Sequence, residues 1–314
     1  MITVDNLKKN YGEINALNGI SFEVKRGEVL GFLGPNGAGK TTTMKILTGF
    51  IAPSGGEITI DGLNLLTDSL KIREKIGYLP ESVPLYTDMK VFEYLKFVTE
   101  IRGIKKTKIA SRIKEMIKVC GLEKVIKQDI SDLSKGYKQR TALAQAMIHD
   151  PEILILDEPT TGLDPNQIAE IRELIKKIGE KKTVIFCTHI LQEVQAVCNR
   201  AIIINEGKIV ASGTLDELQV QAKGKSYITC QIQGAETEDV KNEFKNIEGV
   251  ISVSVLPQKF DQGHLYKLEV SEIDPREAIF KKVVERKWEM LSLTQEQVQL
   301  EDVFRSLTQE HESK

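Results

Sequence analysis

Apolar positions in this chain fall into two rhythms. Short, nearly continuous runs occur at residues 27–34, 75–80, 152–159 and 182–189, and between them apolar residues recur every three or four positions. Continuous runs bounded by turns predict strands buried on both faces, and their alternation with helical spacing predicts a mainly parallel sheet covered by helices. The pattern holds from Ile2 to about Leu218. Within it, residues 91–147 show helical spacing and no convincing strand, including a helix opened by Thr107 and stopped at Gly121. The prediction is an α/β domain with an inserted helical subdomain.

The pattern changes at Gln219–Ser226, a polar stretch without a large apolar cluster, which divides the chain into residues 1–222 and 223–314. Beyond it the order reads strand, helix, strand, strand, helix, strand, with the last strand near Met290. A small α+β domain with the split β-α-β arrangement of ferredoxin type fits that order.

Composition adds exclusions. The chain has 314 residues, 41% hydrophobic and 28% charged, with Lys+Arg 43 against Asp+Glu 45. That balance gives no global electrostatic reason to bind nucleic acid or an acidic bilayer. No run approaches the ~18–20 apolar residues of a membrane span, and the first residues lack the apolar core of a signal peptide, so the chain is expected to stay in the cytosol. Cys120, Cys187, Cys198 and Cys230 stand singly, without metal or redox spacing, and read as small apolar residues.

The candidate chemistry begins with Gly34, Pro35, Asn36, Gly37, Ala38, Gly39, Lys40 and Thr41, followed by Thr42, between an apolar strand and a helical pattern. Small residues there let backbone N–H groups converge on a phosphate, with the positive end of the following helix aimed at the same anion. Lys40 is placed to neutralise β and γ phosphates and Thr41 to offer its hydroxyl to Mg²⁺. Nucleotide binding follows, but a kinase, a GTPase and other ATPases remain open.

Further motifs narrow the choice. Leu133–Arg140 resembles the signature of ATP-binding cassette (ABC) proteins, usually LSGGQ, and Ile153–Glu158 resembles their Walker B strand. Gly162–Asp164 is similar to the D-loop, Thr188–His189 to the switch histidine, and Tyr11 to the aromatic residue that stacks on adenine. The resemblance spans residues 1 to about 218 and implies ATP and Mg²⁺ as ligands. By its terms Asp157 orients Mg²⁺, Glu158 polarises the attacking water, and Lys40 and His189 complete the catalytic set. Ser134 and Gly136 approach the γ-phosphate of a partner subunit, which implies a homodimer or pseudo-dimer. Asp164, in the D-loop, is counted among the nucleotide-binding residues. The resemblance also implies integral membrane permease subunits and a peripheral position on the inner face of the cell membrane, with no nucleic acid expected.

Two departures stand out. Glu81 occupies the place of the usual Q-loop glutamine, where its oxygen can still reach Mg²⁺ but adds negative charge beside a triphosphate. In the signature, Lys135 and Tyr137 replace the usual Gly and Gln, while Ser134 and Gly136 remain. With Leu300–Phe304, these features resemble ATPases paired with export-type permeases, including drug-export and gliding-motility-type systems. Two other readings stay in view: a non-transport ABC ATPase of translation-factor or DNA-repair type, and a binder that holds ATP without turning it over.

Overall fold

The computed structural model describes residues 1–222, 226–256, 263–271 and 273–296, in two compact units, Met1–Leu215 and Asp216–Lys314. In the first, β1 (Ile2–Tyr11) and β2 (Ile14–Val24) pair as a hairpin before β3 (Val29–Leu33) and α1 (Lys40–Leu47). Next come β4 (Gly55–Ile60), β5 (Leu63–Asn64), α2 (Ser69–Lys75) and β6 (Ile76–Leu79). The helical insert holds α3 (Val91–Ile101), α4 (Lys106–Cys120) and α5 (Lys135–Met147). Then follow β7 (Ile153–Asp157), α6 (Pro165–Gly179), β8 (Thr183–Thr188), α7 (Leu191–Val197), β9 (Arg200–Asn205) and β10 (Lys208–Thr214).

Two sheets share the core of this unit. One is antiparallel, in the order β2-β1-β4-β5; the other runs β10-β9-β3-β8-β7-β6, parallel except for β10. Every residue of β3, β7 and β8 is buried, which is why these strands read as unbroken apolar runs rather than alternating ones. Val4, Leu7 and Ile20 of the antiparallel sheet join Leu30, Ile155 and Ile202 of the parallel one in a single apolar cluster, and the rings of Phe22 and Phe32 meet across it at 5.5 Å. α4 begins one residue before Thr107 and ends on a left-handed Gly121, whose N–H reaches the carbonyl of Ile117.

The second unit carries α8 (Leu215–Ala222), β11 (Ser226–Gln233), α9 (Thr237–Lys245), β12 (Val250–Leu256), β13 (His264–Val270), α10 (Arg276–Glu285) and β14 (Glu289–Glu296). Its antiparallel sheet has the order β12-β13-β11-β14, the ferredoxin-type arrangement expected from the element order. Ile228, Cys230, Tyr266 and Leu268 on one sheet face pack with Phe244 of α9 and Ile279 of α10. The division falls seven residues before the boundary expected after residue 222, because α8 groups with the second unit and the polar stretch begins inside that helix rather than at the junction. The Leu300–Phe304 motif lies outside the described residues.

Candidate functional site

Three neighbouring parallel strands deliver the candidate residues to one edge of the sheet. The ladder sets Leu33 of β3 opposite Thr188 of β8, and Asp157 of β7 opposite Cys187 of β8. The loop after β3, the acidic pair ending β7 and the histidine after β8 therefore converge outside the carboxyl ends of their strands, where open α/β sheets bind ligands.

The loop's shape depends on missing side chains. A Cβ on Gly34 would lie 2.3 Å from the carbonyl oxygen of Ile204, so only glycine lets the loop leave β3 so close to β9. Gly37 sits at φ +82°, with nothing within 4 Å of the added carbon, so there backbone conformation rather than space favours glycine. α1 starts at Lys40 with no acidic residue in its first turn, leaving its positive end uncompensated by side chains. The Lys40 ammonium is buried and donates to the carbonyls of Gly34 at 2.7 Å and Pro35 at 3.1 Å.

Around this loop lies a cavity of about 360 Å³, lined by Ala16, Asn36, Gly37, Gly39, Lys40, Thr41, Thr42, Glu81, Glu158, Thr161 and His189. The Thr41 hydroxyl donates to Asp157 Oδ1 at 3.4 Å. Burial pushes the Asp157 carboxyl above its ordinary range; Cys187 and Thr41 counter that through hydrogen bonds, and the charges of Glu158 and Glu81 reinforce it. Asp157 Oδ2 and Glu158 Oε1 are both buried without a hydrogen-bond partner. The unpartnered Asp157 oxygen, on the carboxylate that accepts from the Thr41 hydroxyl, fits a small divalent cation held partly by protein and partly by phosphate and water. No group of three or more His, Cys, Asp or Glu side chains of metal-binding arrangement exists among the described residues, so the protein would supply few ligands.

Glu158 is the focus of the site. It is 6% exposed and adopts φ +50°, a left-handed conformation that costs a non-glycine residue ~1–3 kcal/mol and tends to mark functional positions. Its backbone N–H donates to the Cys187 carbonyl at 2.9 Å. Its Oε2 lies 2.9 Å from His189 Nδ1 and accepts from Thr161 Oγ1 at 3.4 Å, while Oε1 lies 3.5 Å from Lys40 Nζ.

Other expected residues stand elsewhere. Ser134 caps α5, its hydroxyl accepting from the Tyr137 N–H, and Gly136 packs against Gln167 of α6; neither lines the cavity. Asp164 caps α6 by accepting from the Gln167 N–H at 2.9 Å. Tyr11 is not among the lining residues either: it is 47% exposed, with the Lys9 ammonium 5.1 Å from its ring. Ala16 and Thr161 line the cavity without having been singled out from the sequence. Alanine and threonine carry no chemical signature there, and only Thr161's position three residues after Glu158 hinted at a role.

Comparisons with known proteins identify the family. The family model described as ABC transporter matches residues 17–161. The linearmycin resistance ATP-binding protein LnrL of Bacillus subtilis is 36% identical over 235 residues, covering 74% of this chain and 76% of that protein. An uncharacterized ABC transporter ATP-binding protein of the same organism, YhcH, is 32% identical over 305 residues, 95% of this chain and 98% of its own length. Among solved structures, the dimeric post-hydrolysis state of the ATP-binding cassette MJ0796 bound to ADP and Pi aligns with a TM-score of 0.63 and 29% identity, covering 68% of this chain and 99% of that one. With the phosphate loop, the acidic pair and the histidine gathered on adjoining strands, the chain belongs to the ABC transporter family, as an ATP-binding and ATP-hydrolysing subunit.

Proposed function

We propose that this subunit hydrolyses Mg²⁺-ATP to drive export through separate membrane permease subunits, with Glu158 as the residue that polarises the attacking water. The observation that carries the reading is the environment of Glu158. A buried carboxylate lies within 3.5 Å of Lys40 and 2.9 Å of His189, at the mouth of the phosphate loop. Phosphoryl transfer needs positioning and charge neutralisation more than covalent chemistry, and these groups provide both.

In this reading Lys40 would exchange its loop carbonyls for phosphate oxygens, and Thr41, Asp157 and Glu81 would hold Mg²⁺. The metal supplies charge neutralisation at the phosphates. His189 orients Glu158. Ser134 and Gly136 lie outside the cavity of their own subunit, as residues serving a partner's nucleotide would; the dimeric MJ0796 cassette supports that arrangement. Asp164 belongs to the same shared surface, and Tyr11 reaches adenine beyond the cavity rim.

Export rests on LnrL, named for linearmycin resistance, and on YbhF of Escherichia coli, named as a probable multidrug ABC transporter ATP-binding protein. Among the described residues no helix is long and apolar enough to cross a membrane. In the proposed reading the permease is a separate chain and this subunit works from the cytoplasmic face. The single-site test is Glu158→Gln. Losing a positioned base costs ~10²–10⁴-fold in rate, so turnover falls at least about 100-fold while a fluorescent ATP analogue still binds and dimers accumulate with ATP. Unchanged turnover would remove Glu158 from the role.

A further inference from the structure

The residue before His189 belongs to a buried polar chain that the hydrolytic reading leaves unused. Thr188 is the last residue of β8 and is fully buried. Its hydroxyl donates to Glu193 Oε2 at 2.7 Å and accepts from the N–H of Ile190 at 3.1 Å. One side chain thus ties down the backbone on both sides of His189, the first residue to leave the sheet. Glu193, on α7, is 0% exposed, and its other oxygen faces Arg172 Nη2 of α6 at 3.6 Å. That oxygen and Arg172 Nε are buried without hydrogen-bond partners.

The chemistry of the chain is directional. A carboxylate only accepts, so Glu193 obliges the Thr188 hydroxyl to point its hydrogen inward, which leaves the oxygen lone pairs for the Ile190 N–H. Glutamine at 193 could donate as well as accept and would not impose that order. A fully buried carboxylate also needs a countercharge, and Arg172 is the cation that faces it. Arg172 lies about two turns into the helix capped by Asp164, so a shift of α6 would be felt at Glu193.

We propose that Thr188 and Glu193 are positioning residues for His189, with Arg172 as their charge anchor. They set the histidine's approach to Glu158 without touching nucleotide themselves. The inference rests on His189 and Glu158 acting as a pair in hydrolysis, and the controls below separate the two ideas.

The test uses the full chain at saturating Mg²⁺-ATP, comparing kcat and KM with the affinity for a fluorescent ATP analogue. Thr188→Val keeps the shape and removes the hydroxyl; it lowers kcat at least about tenfold, with KM and analogue affinity within about twofold. Thr188→Ser restores kcat to within about threefold. Arg172→Gln lowers kcat at least about threefold. In a His189→Ala background neither Thr188→Val nor Arg172→Gln lowers kcat further, because residues that act through one group are not additive with its loss. Thr188→Ala carries the same expectation and takes over if the valine chain does not fold. Additive losses, or a loss in analogue affinity matching that in kcat, overturn the positioning role. If His189→Ala itself turns over normally, the reading of the catalytic pair fails instead.

Discussion

Replacing Gly34 by alanine isolates the closest backbone approach in the site. The new Cβ would stand 2.3 Å from the carbonyl oxygen of Ile204 and 2.9 Å from Ile204 Cγ2. Ordinary contact requires a retreat of about 1 Å, and because the nearer atom is backbone, either β9 or the phosphate loop must move. Overpacking of this kind costs about 1–3 kcal/mol, which for a domain of this size lowers the melting temperature by about 2–12 °C. Function suffers more, since displacing a positioned group by ~1 Å can cost ~100-fold in rate. The assay pairs a thermal melt with analogue titration and steady-state turnover, alongside two controls. Gly37→Ala, at φ +82° with open space, carries backbone strain of ~1–2 kcal/mol and no push on β9. Ile204→Ala in the Gly34→Ala chain removes the side-chain contact and leaves the carbonyl, so it does not restore binding. Full restoration, or a Gly34→Ala chain with wild-type melting and affinity, refutes the argument.

A cluster of four charges makes stability depend on pH. Arg26 contacts Asp61 at 2.9 Å and Glu152 at 2.7 Å, and Lys75 contacts the same two at 3.0 and 3.3 Å. Burial works against ionisation of Asp61, but the hydrogen bond and charge of Lys75, with Arg26, outweigh it and hold the carboxyl low. The hydrogen bonds from Arg26 and Lys75 hold Glu152 low as well. Both groups bind protons less readily folded than unfolded, so their stabilisation is present above the ordinary carboxylate range, around pH 4, and is lost as pH falls through it. Lys75→Met should lower the melting temperature at pH 7 and have little effect near pH 3; an equal loss at both would exclude the ion pairs as the cause. In the second unit, Phe244 is fully buried and meets the rings of Tyr266 and Trp288 at 6.4 and 6.3 Å. Phe244→Ala should cost about 3–5 kcal/mol and shift the denaturation midpoint followed by the fluorescence of Trp288, the chain's single tryptophan, and an unchanged midpoint would contradict that packing.

Much of the fold was legible because burial on both faces leaves a plain trace: β3, β7 and β8 could be read as runs of Val, Ile, Leu and Phe. The phosphate loop was legible for another reason, since its spaced small residues form a compact motif between a strand and a helix, although the demand on Gly34 comes from Ile204 of β9 and that on Gly37 from local backbone conformation. The meeting of Glu158 with His189 was not, because it depends on the pairing of strands distant in sequence, and the resemblance to ABC proteins alone suggested it. The Thr188–Glu193–Arg172 chain left no trace either: threonine, glutamate and arginine at those spacings read as ordinary strand-end and helix-surface residues. Tyr11 shows the converse, a residue chosen by resemblance that lies outside the cavity lining.

The strand order has a consequence for biosynthesis. β3 pairs on one side with β8 and on the other with β9, which are made about 150 and about 170 residues later. At ~5–20 residues per second, the nascent chain waits ~10–30 s with its glycine loop finished but its strand unpaired on both edges. The nucleotide cradle is therefore one of the last features of the first unit to close. A nucleotide that binds the closed cradle and not the open chain would pull newly made chains toward completion by mass action.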